Sequence, residues 1–170
     1  VDEAGRGPLA GPVIAAGILI LPPQKSKIKN QNAKLGKSLA ATDFEDLLAL
    51  GVADSKKLTP KKRDKIFEIL TNDKRVLWAV GAVDEKAIDK INILQASLLA
   101  MRQAVEKLLN QANIWIPDID IYIDGREVVP DLAMNQKAVI GGDGKIFSIA
   151  AASIIAKVTR DRLMDEYAKR

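Results

Sequence analysis

The 170-residue chain contains no cysteine and no histidine, and aromatic residues make up only 4% of it. Without cysteine, disulfides, thiolate nucleophiles and Cys-ligated zinc are excluded, and such a composition suits a reducing compartment, so we expect a cytoplasmic protein. Without histidine, the usual general base near neutral pH is missing. This excludes Ser-His-Asp hydrolysis and histidine-driven RNA cleavage. A hydrolase of this composition would depend on carboxylates and hard cations.

Long apolar runs are also missing. The longest run, residues 13–21, is much shorter than the ~20 residues of a membrane span. The acidic Asp2 and Glu3 at the start are unlike a signal peptide, so we expect no membrane association. The length suffices for a single domain over residues 1–170. Because the chain begins without Met, we expect that native residues are missing at both ends, including a C-terminal helical part.

Positive charge is concentrated in two stretches, although the net charge is only +4. Residues 22–41 hold five lysines and no acid, and residues 56–65 hold six basic residues against Asp64 alone. Such clusters are typical of proteins that bind a polyanion, but a solvated surface would produce them as well. We expect residues 25–38 to form a loop that touches nucleic acid nonspecifically.

Apolar patterns predict an α/β fold in which helices cover a sheet. Alternating or β-branched stretches predict strands over residues 13–21, 76–83, 119–124 and 137–140. Helical signals predict helices over residues 60–71, after Asn92, and from about residue 148 to the end. In such sheets, sites form where strands end.

Two of the predicted helices carry clear markers. Thr59 supplies a capping hydroxyl and Pro60 suits the first helical position. This helix is expected to bury Ile66, Phe67 and Leu70. The helix after Asn92 has one apolar stripe with alternating steps of four and three residues, formed by Leu94, Leu98, Met101, Val105 and Leu108.

Four acids occur where strands end or turns begin: Asp2, Glu3, Asp124 and Asp143. Asp124 closes an apolar strand before Gly125, and Asp143 is surrounded by glycines, which would let it approach a ligand closely. Each one alone is more often an ordinary turn residue. Together they are significant, because gathering several like charges is unfavourable unless a cation offsets them. If adjacent Asp2 and Glu3 serve one site, the backbone must bend or one of them must act through its carbonyl group.

Other acids rank lower as site candidates. Asp161 lies 13 residues into the last helix, which is roughly 20 Å from the helix start. We therefore interpret it as an ion-pair partner of Lys157, one turn earlier. Asp118 and Asp120 form an Asp-x-Asp pattern, but Asp118 precedes the strand.

Glycine-rich segments suggest contacts with phosphate. In the Gly-Arg-Gly turn (Gly5, Arg6 and Gly7), the glycines would let the backbone approach a ligand closely. The arginine side chain could donate two parallel hydrogen bonds to a phosphate. A nucleotide-binding phosphate loop near Lys145 is excluded by spacing. Val139 stands at the first glycine position of that motif and Ile146 at its last position.

The ordered motifs resemble those of the ribonuclease HII family over nearly the whole chain. The matching blocks are residues 2–13 (DEAGRGPLAGPV), 54–58 (DSKKL), 92–97 (NILQAS), 123–125 (IDG), 142–143 (GD) and 150–162 (AAASIIAKVTRDR). Six such blocks in the same order are far more than chance agreement would produce. The resemblance implies a ribonuclease H-like fold, with a five-stranded mixed sheet flanked by helices.

The resemblance further implies an endonuclease that cuts the RNA strand of RNA–DNA hybrids and cuts 5′ of ribonucleotides in duplex DNA. It implies two Mg²⁺ or Mn²⁺ ions held by Asp2, Glu3, Asp124 and Asp143. Residues 5–7 would contact the 2′-hydroxyl at the RNA–DNA junction. Lys56 would contact a substrate phosphate, and Ser153 would also bind substrate. Implied roles are ribonucleotide removal from DNA and RNA primer removal.

Two features depart from the family pattern. The segment between Leu21 and Asp54 is longer than usual, and the junction-sensing tyrosine of the family lies beyond the last block, where Tyr167 comes too early to match. Two other functions stay open: a different two-metal nuclease of the same fold, such as a resolvase, and a hybrid-binding domain that does not cut. We expect a monomer, because nothing in the sequence indicates an obligate dimer.

Overall fold

The computed structural model describes residues 1–8, 10–21, 45–52, 58–112 and 119–169. Lys56, Asp118 and the lysine-rich residues 22–41 lie outside these ranges, so the expectations that concern them stay predictions. Five strands and five helices occur in the described part of the chain, in the order β1, β2, α1, α2, β3, α3, α4, β4, β5 and α5.

Three strands pair antiparallel in the order β1 (Asp2–Ala4), β2 (Val13–Ile20) and β3 (Val76–Val83). The first five residues of β2 are buried, because helices cover both faces of the sheet at that point. This explains why β2 is continuously apolar rather than alternating. The register sets Asp2 of β1 opposite Ala16 of β2.

Two further strands, β4 (Asp120–Asp124) and β5 (Asn135–Val139), pair parallel. Val1 joins them to β1: its main-chain nitrogen donates to the Tyr122 carbonyl at 2.8 Å, and its carbonyl accepts from the Asp124 amide at 3.0 Å. Instead of the expected single five-stranded sheet, the described strands form one sheet of three strands and one of two, which are linked only through these hydrogen bonds of the single residue Val1. This junction sets the start of β1 beside the end of β4.

Helix α2 (Pro60–Asn72) follows its predicted bounds closely. The Thr59 hydroxyl accepts from the Lys62 amide at 3.3 Å and caps the first turn. The predicted inner face is confirmed, since Ile66, Phe67 and Leu70 are all buried. They pack in one core with α5 and the adjacent face of the sheet.

Helix α4 (Ile93–Ala112) covers the other face of the sheet. The predicted apolar stripe is confirmed, with four of its five members buried: Leu98, Met101, Val105 and Leu108. Contact with β3 is very close at Gly81, where a β-carbon would lie 2.0 Å from the Ala100 carbonyl oxygen. Gly81 thus allows the helix backbone to rest directly on the sheet.

Two helices were not predicted. Helix α1 (Glu45–Leu48) is a single turn. Helix α3 (Glu85–Ile91) buries none of its residues, so its sequence has no apolar stripe. Its start does carry a local signal, because the Asp84 carboxylate accepts from the Ala87 amide at 2.8 Å.

The last helix, α5 (Phe147–Tyr167), begins one residue before the predicted start and lies across β1 and β2. Small side chains fill its contact with the sheet, as predicted: Ala150, Ala151, Ala152, Ser153 and Ala156 are all buried. The result is an α/β architecture with helices on both faces of the sheet, which confirms the predicted class. No helix in the described ranges is both long and apolar enough to cross a bilayer.

Candidate active site

Asp2 is the most deeply buried acid of the predicted set, with only 4% of its surface exposed. It lies in β1 beneath α5. Its Oδ1 accepts from the Glu3 amide at 2.7 Å, and the Ser153 hydroxyl on α5 donates to the same carboxylate. Ser153 thus contacts a predicted catalytic acid, which is a role that the sequence did not suggest for it.

Burial, which is the largest cause, and the negative charges of Glu3 and Asp124 together raise the pKa of Asp2 from its ordinary 3.8 to about 8. The hydrogen bonds from Glu3 and Ser153 oppose this shift without cancelling it. These contributions show that Glu3 and Asp124 lie close enough to act on Asp2. The fold therefore gathers three carboxyl groups, and burial and repulsion together outweigh the hydrogen bonds that favour the charged form of Asp2.

Glu3 has one partnered and one unpartnered oxygen. Its Oε1 lies 3.3 Å from Nη1 of Arg6. Its Oε2 is buried and finds no hydrogen-bond partner among the described residues. A buried carboxylate oxygen without a donor is costly. The site at Glu3 is therefore chemically suited to a cation.

Asp124 ends β4 and is half-buried. Its Oδ1 accepts from the Gly142 amide at 2.7 Å, which ties the end of β4 to the turn after β5. This turn is a single 3-10 turn, Gly142–Gly144. The bond fixes the carboxylate at the edge of the sheet where β1 and β4 meet.

Asp143 follows Gly142 directly in that turn but faces a separate recess of about 190 Å³. Leu48, Gly51 and Lys145 line the same recess. The negative charges that raise the pKa of Asp2 most are those of Glu3 and Asp124. Asp143 thus follows Gly142, whose amide holds Asp124, but it lines a different recess.

In the structure, Glu3 and Asp124 therefore act electrostatically on Asp2, whereas Asp143 lines a separate recess. Within the described ranges, no group of three or more acids is close enough to form a ready metal-binding cluster. The unpartnered Glu3 oxygen and the raised pKa of Asp2 nevertheless reveal an excess of negative charge. A divalent cation would offset that excess, so the acids fit such an ion chemically.

The Gly-Arg-Gly turn borders a cavity of about 300 Å³ next to these acids. Its lining combines the acid Glu3 and the hydroxyl of Ser153 with four basic side chains: Arg6, Arg63, Lys157 and Arg160. Because basic side chains outnumber acids in this lining, the cavity attracts an anion such as phosphate. The predicted substrate-binding residues 5–7 and Ser153 thus share one cavity, whereas Lys56 lies outside the described residues.

Lys157 and Asp161 form the ion pair that their spacing predicts, at 2.6 Å. The rejection of Asp161 as a metal ligand agrees with this pairing. Asp120 is exposed at the start of β4, at the opposite end of the strand from Asp124. Its low ranking is consistent with that position.

Arg160 is a residue of this region that sequence reasoning missed. It is 6% exposed, and its guanidinium donates to the carbonyl oxygens of Pro12 at 3.0 Å and Ala10 at 2.8 Å. A weak signal was available: Arg160 follows the buried Ser153 and Ala156 at steps of seven and four, so it belongs to the inner face of α5. The partners themselves, almost 150 residues away, leave no local trace.

Comparison with known proteins gives a consistent result. A family model described as Ribonuclease HII matches residues 1–170. The chain is 45% identical over 166 residues to the ribonuclease HII of Caldicellulosiruptor saccharolyticus, covering 98% of this chain and 66% of that protein. It is 48% identical over 167 residues to the ribonuclease HII of Geobacter sulfurreducens, covering 98% of this chain and 63% of that protein.

Among solved structures, the chain resembles ribonuclease H2 from Pyrococcus horikoshii with a TM-score of 0.61 and 29% identity, covering 99% of this chain and 74% of that one. This likeness confirms the predicted ribonuclease H-like fold. The chain spans about two thirds of the length of the curated relatives that it matches.

Proposed function

This chain belongs to the ribonuclease HII family, and from that membership we propose that it is a metal-dependent endonuclease. Its substrates are RNA–DNA hybrids, in which it hydrolyses the RNA strand, and duplex DNA with embedded ribonucleotides, which it cuts on their 5′ side. The products carry a 3′-hydroxyl and a 5′-phosphate. The corresponding cellular roles are removal of ribonucleotides from DNA and removal of RNA primers.

The observation that carries the proposal is the carboxylate group at Asp2, Glu3 and Asp124. Burial and mutual repulsion raise the Asp2 pKa to about 8, and the Glu3 Oε2 atom lies buried without a partner among the described residues. A protein tolerates such an arrangement when a cation balances it. Oxygen ligands alone favour hard cations, so Mg²⁺ and Mn²⁺ are the proposed cofactors.

Asp2, Glu3, Asp124 and Asp143 would hold the ions. When bound, two ions would supply activation of water and stabilisation of the leaving oxygen in phosphodiester hydrolysis. The chain itself contributes orientation: the Gly142 amide fixes Asp124, and the Ser153 hydroxyl fixes Asp2. Asp143, which lines the recess beside Lys145, is the fourth proposed ligand.

Substrate recognition is assigned to the cavity beside the acids. The basic residues Arg6, Arg63 and Lys157 line it and would attract the phosphates of the nucleic acid backbone. The backbone of residues 5–7 would contact the 2′-hydroxyl, the group that distinguishes a ribonucleotide from a deoxyribonucleotide. The hydroxyl serves recognition and is not the nucleophile.

The test is a cleavage assay on a DNA duplex that carries a single ribonucleotide. We expect cutting 5′ of the ribonucleotide with Mg²⁺ or Mn²⁺ and none with a chelator. An all-RNA strand paired to DNA should also be cut, and an all-DNA duplex should not. Cutting of the all-DNA duplex, or cutting that persists in chelator, would contradict the proposal.

A hybrid-binding function without cleavage is the second candidate. It is favoured because, within the described ranges, no three acids lie close enough together to form a ready metal-binding cluster. A protein with this function would bind the hybrid in a salt-sensitive way and would give no metal-dependent cleavage products. A resolvase-like nuclease would instead cut an all-DNA junction, so one set of substrates separates all three functions.

A further inference from the structure

We propose that Arg160 is a positioning residue for substrate binding, which acts by holding the Gly-Arg-Gly turn in its binding shape. The proposal rests on the proposed function, because it names the device that prepares the substrate cavity. Arg160 itself would not contact the ribonucleotide. It would act through the carbonyl oxygens of Ala10 and Pro12 and through Gly5.

The first argument is the pair of hydrogen bonds from the guanidinium. Nε donates to Pro12 at 3.0 Å and Nη2 donates to Ala10 at 2.8 Å. Hydrogen bonds from a charged donor are stronger than neutral ones, and burial strengthens them further. One planar group therefore fixes two carbonyl groups on the chain that returns from the turn into β2.

The second argument is the contact with Gly5. This residue has a φ of 113°, and a β-carbon on it would lie 2.7 Å from Nε of Arg160 and 2.8 Å from the Pro12 oxygen. The backbone at Gly5 thus lies directly against the guanidinium. The two arms of the loop, at Gly5 and at residues 10–12, converge on this one side chain.

The third argument is the position of Arg160 relative to the substrate cavity. It lines the cavity of about 300 Å³ that residues 5–7, Ser153 and Lys157 also line. Arg160 also lines a groove of about 820 Å³ together with Pro8 and Ala10. Arg160 therefore lies where the turn borders both open spaces.

A core residue would not need this charge. Burying a guanidinium is costly, and an apolar side chain of similar volume often gives equal or higher stability. Both bonds described for Arg160 go to carbonyl oxygens. An arginine at this position is thus explained by the two carbonyl oxygens, of Ala10 and Pro12, that its guanidinium fixes.

The experiment compares Arg160→Met and Arg160→Lys with the native chain, using the duplex that carries one ribonucleotide. We expect Arg160→Met to raise KM about tenfold, the equivalent of losing about 1.4 kcal/mol of binding, with kcat changed less than about threefold. Arg160→Lys, which keeps one charged donor, should give an intermediate KM. A merely structural role would instead lower the active fraction, and so kcat, at constant KM.

A second readout follows the loop directly. In Arg160→Met, ¹⁵N relaxation should show lower order parameters for the amides of Gly5, Gly7 and Gly11, while those of β2 stay unchanged. The matched control is Arg162→Met on the same helix, since Arg162 is half exposed and pairs with Asp64 and Glu68. We expect native KM and native glycine order parameters in that control.

If Arg160→Met folds poorly, a double-mutant cycle with other variants still tests the proposal. Gly5→Ala inserts a β-carbon against the guanidinium, so its effect on KM should be non-additive with that of Arg160→Lys. Additive effects, or unchanged glycine order parameters in every foldable Arg160 variant, would overturn the proposal. A native chain that fails to cut the ribonucleotide duplex would refute the proposed function instead, and the order parameters would still decide the role of Arg160.

Discussion

The Oδ1 atom of Asp124 accepts a hydrogen bond from the backbone amide of Gly142 at 2.7 Å, although the two residues are 18 positions apart. This bond links the end of β4 to the turn after β5. Backbone donors hold a carboxylate in a fixed direction, because they cannot change rotamer. The orientation of Asp124 is therefore a property of the sheet edge and not only of its own side chain.

Asp124→Asn should remove activity while preserving the fold. The amide can still accept from Gly142 through its oxygen, but it carries no charge to hold a cation. We expect cleavage to fall by at least about 100-fold, with a thermal unfolding midpoint within a few degrees of the native chain. The control is Glu106→Gln, which removes an exposed ion pair with Arg102 on α4 and should leave cleavage unchanged. Native activity in Asp124→Asn would exclude Asp124 from the mechanism.

Divalent ions should stabilise the folded chain. A ligand that binds only the folded form adds about 2.7 kcal/mol at 100 times its dissociation constant, which raises the unfolding midpoint by several degrees. The measurement is thermal unfolding with rising Mg²⁺ or Mn²⁺ against chelator. We expect a much smaller rise in Asp124→Asn. Equal rises in both proteins would mean that the ions bind elsewhere.

Asp2→Asn should stabilise the metal-free chain at neutral pH. The folded-state pKa of Asp2, about 8, lies above its ordinary 3.8, so the folded form binds more protons between these values. Stability without divalent ions should therefore fall as pH rises from about 4 to about 8. Thermal unfolding in chelator at several pH values should show this slope in the native chain and a flatter profile in Asp2→Asn. The same slope in both would show that another group causes it.

Gly81→Ala should destabilise the fold without touching the site. Its new β-carbon would lie 2.0 Å from the Ala100 oxygen and 2.9 Å from the Ala104 nitrogen, both backbone atoms of α4. Helix and sheet would have to separate, at a cost of about 3 kcal/mol. Urea unfolding measures the loss. Gly144→Ala, where a β-carbon would meet nothing within 4 Å, is the matched control for stability.

Local signals explain which elements could be predicted. The start of α2 was predictable because Thr59 and Pro60 act within one turn, and the stripe of α4 because burial imposes a helical period. Helix α3 lacks buried residues and so lacks that period. Its cap at Asp84 was a real but isolated signal.

The candidate site was predictable in its residue types but not in its arrangement. Motifs and the need for carboxylates singled out Asp2, Glu3, Asp124 and Asp143. The approach of Asp2 to Asp124 depends on the bonds of Val1 to β4, more than 120 residues away. The recess that Asp143 faces and the bonds of Arg160 are also tertiary, and no local pattern encodes them.

The hydrogen bonds of Val1 limit how the length of strand β1 can change without moving the acids of the site. Strand β1 spans only three residues and meets β2 on one side and, through Val1, β4 on the other. Register in such a short strand depends on these few bonds. An insertion or deletion in β1 would therefore move both carboxylates relative to Ser153 on α5 and to Asp124 at the end of β4, even if every acid were retained.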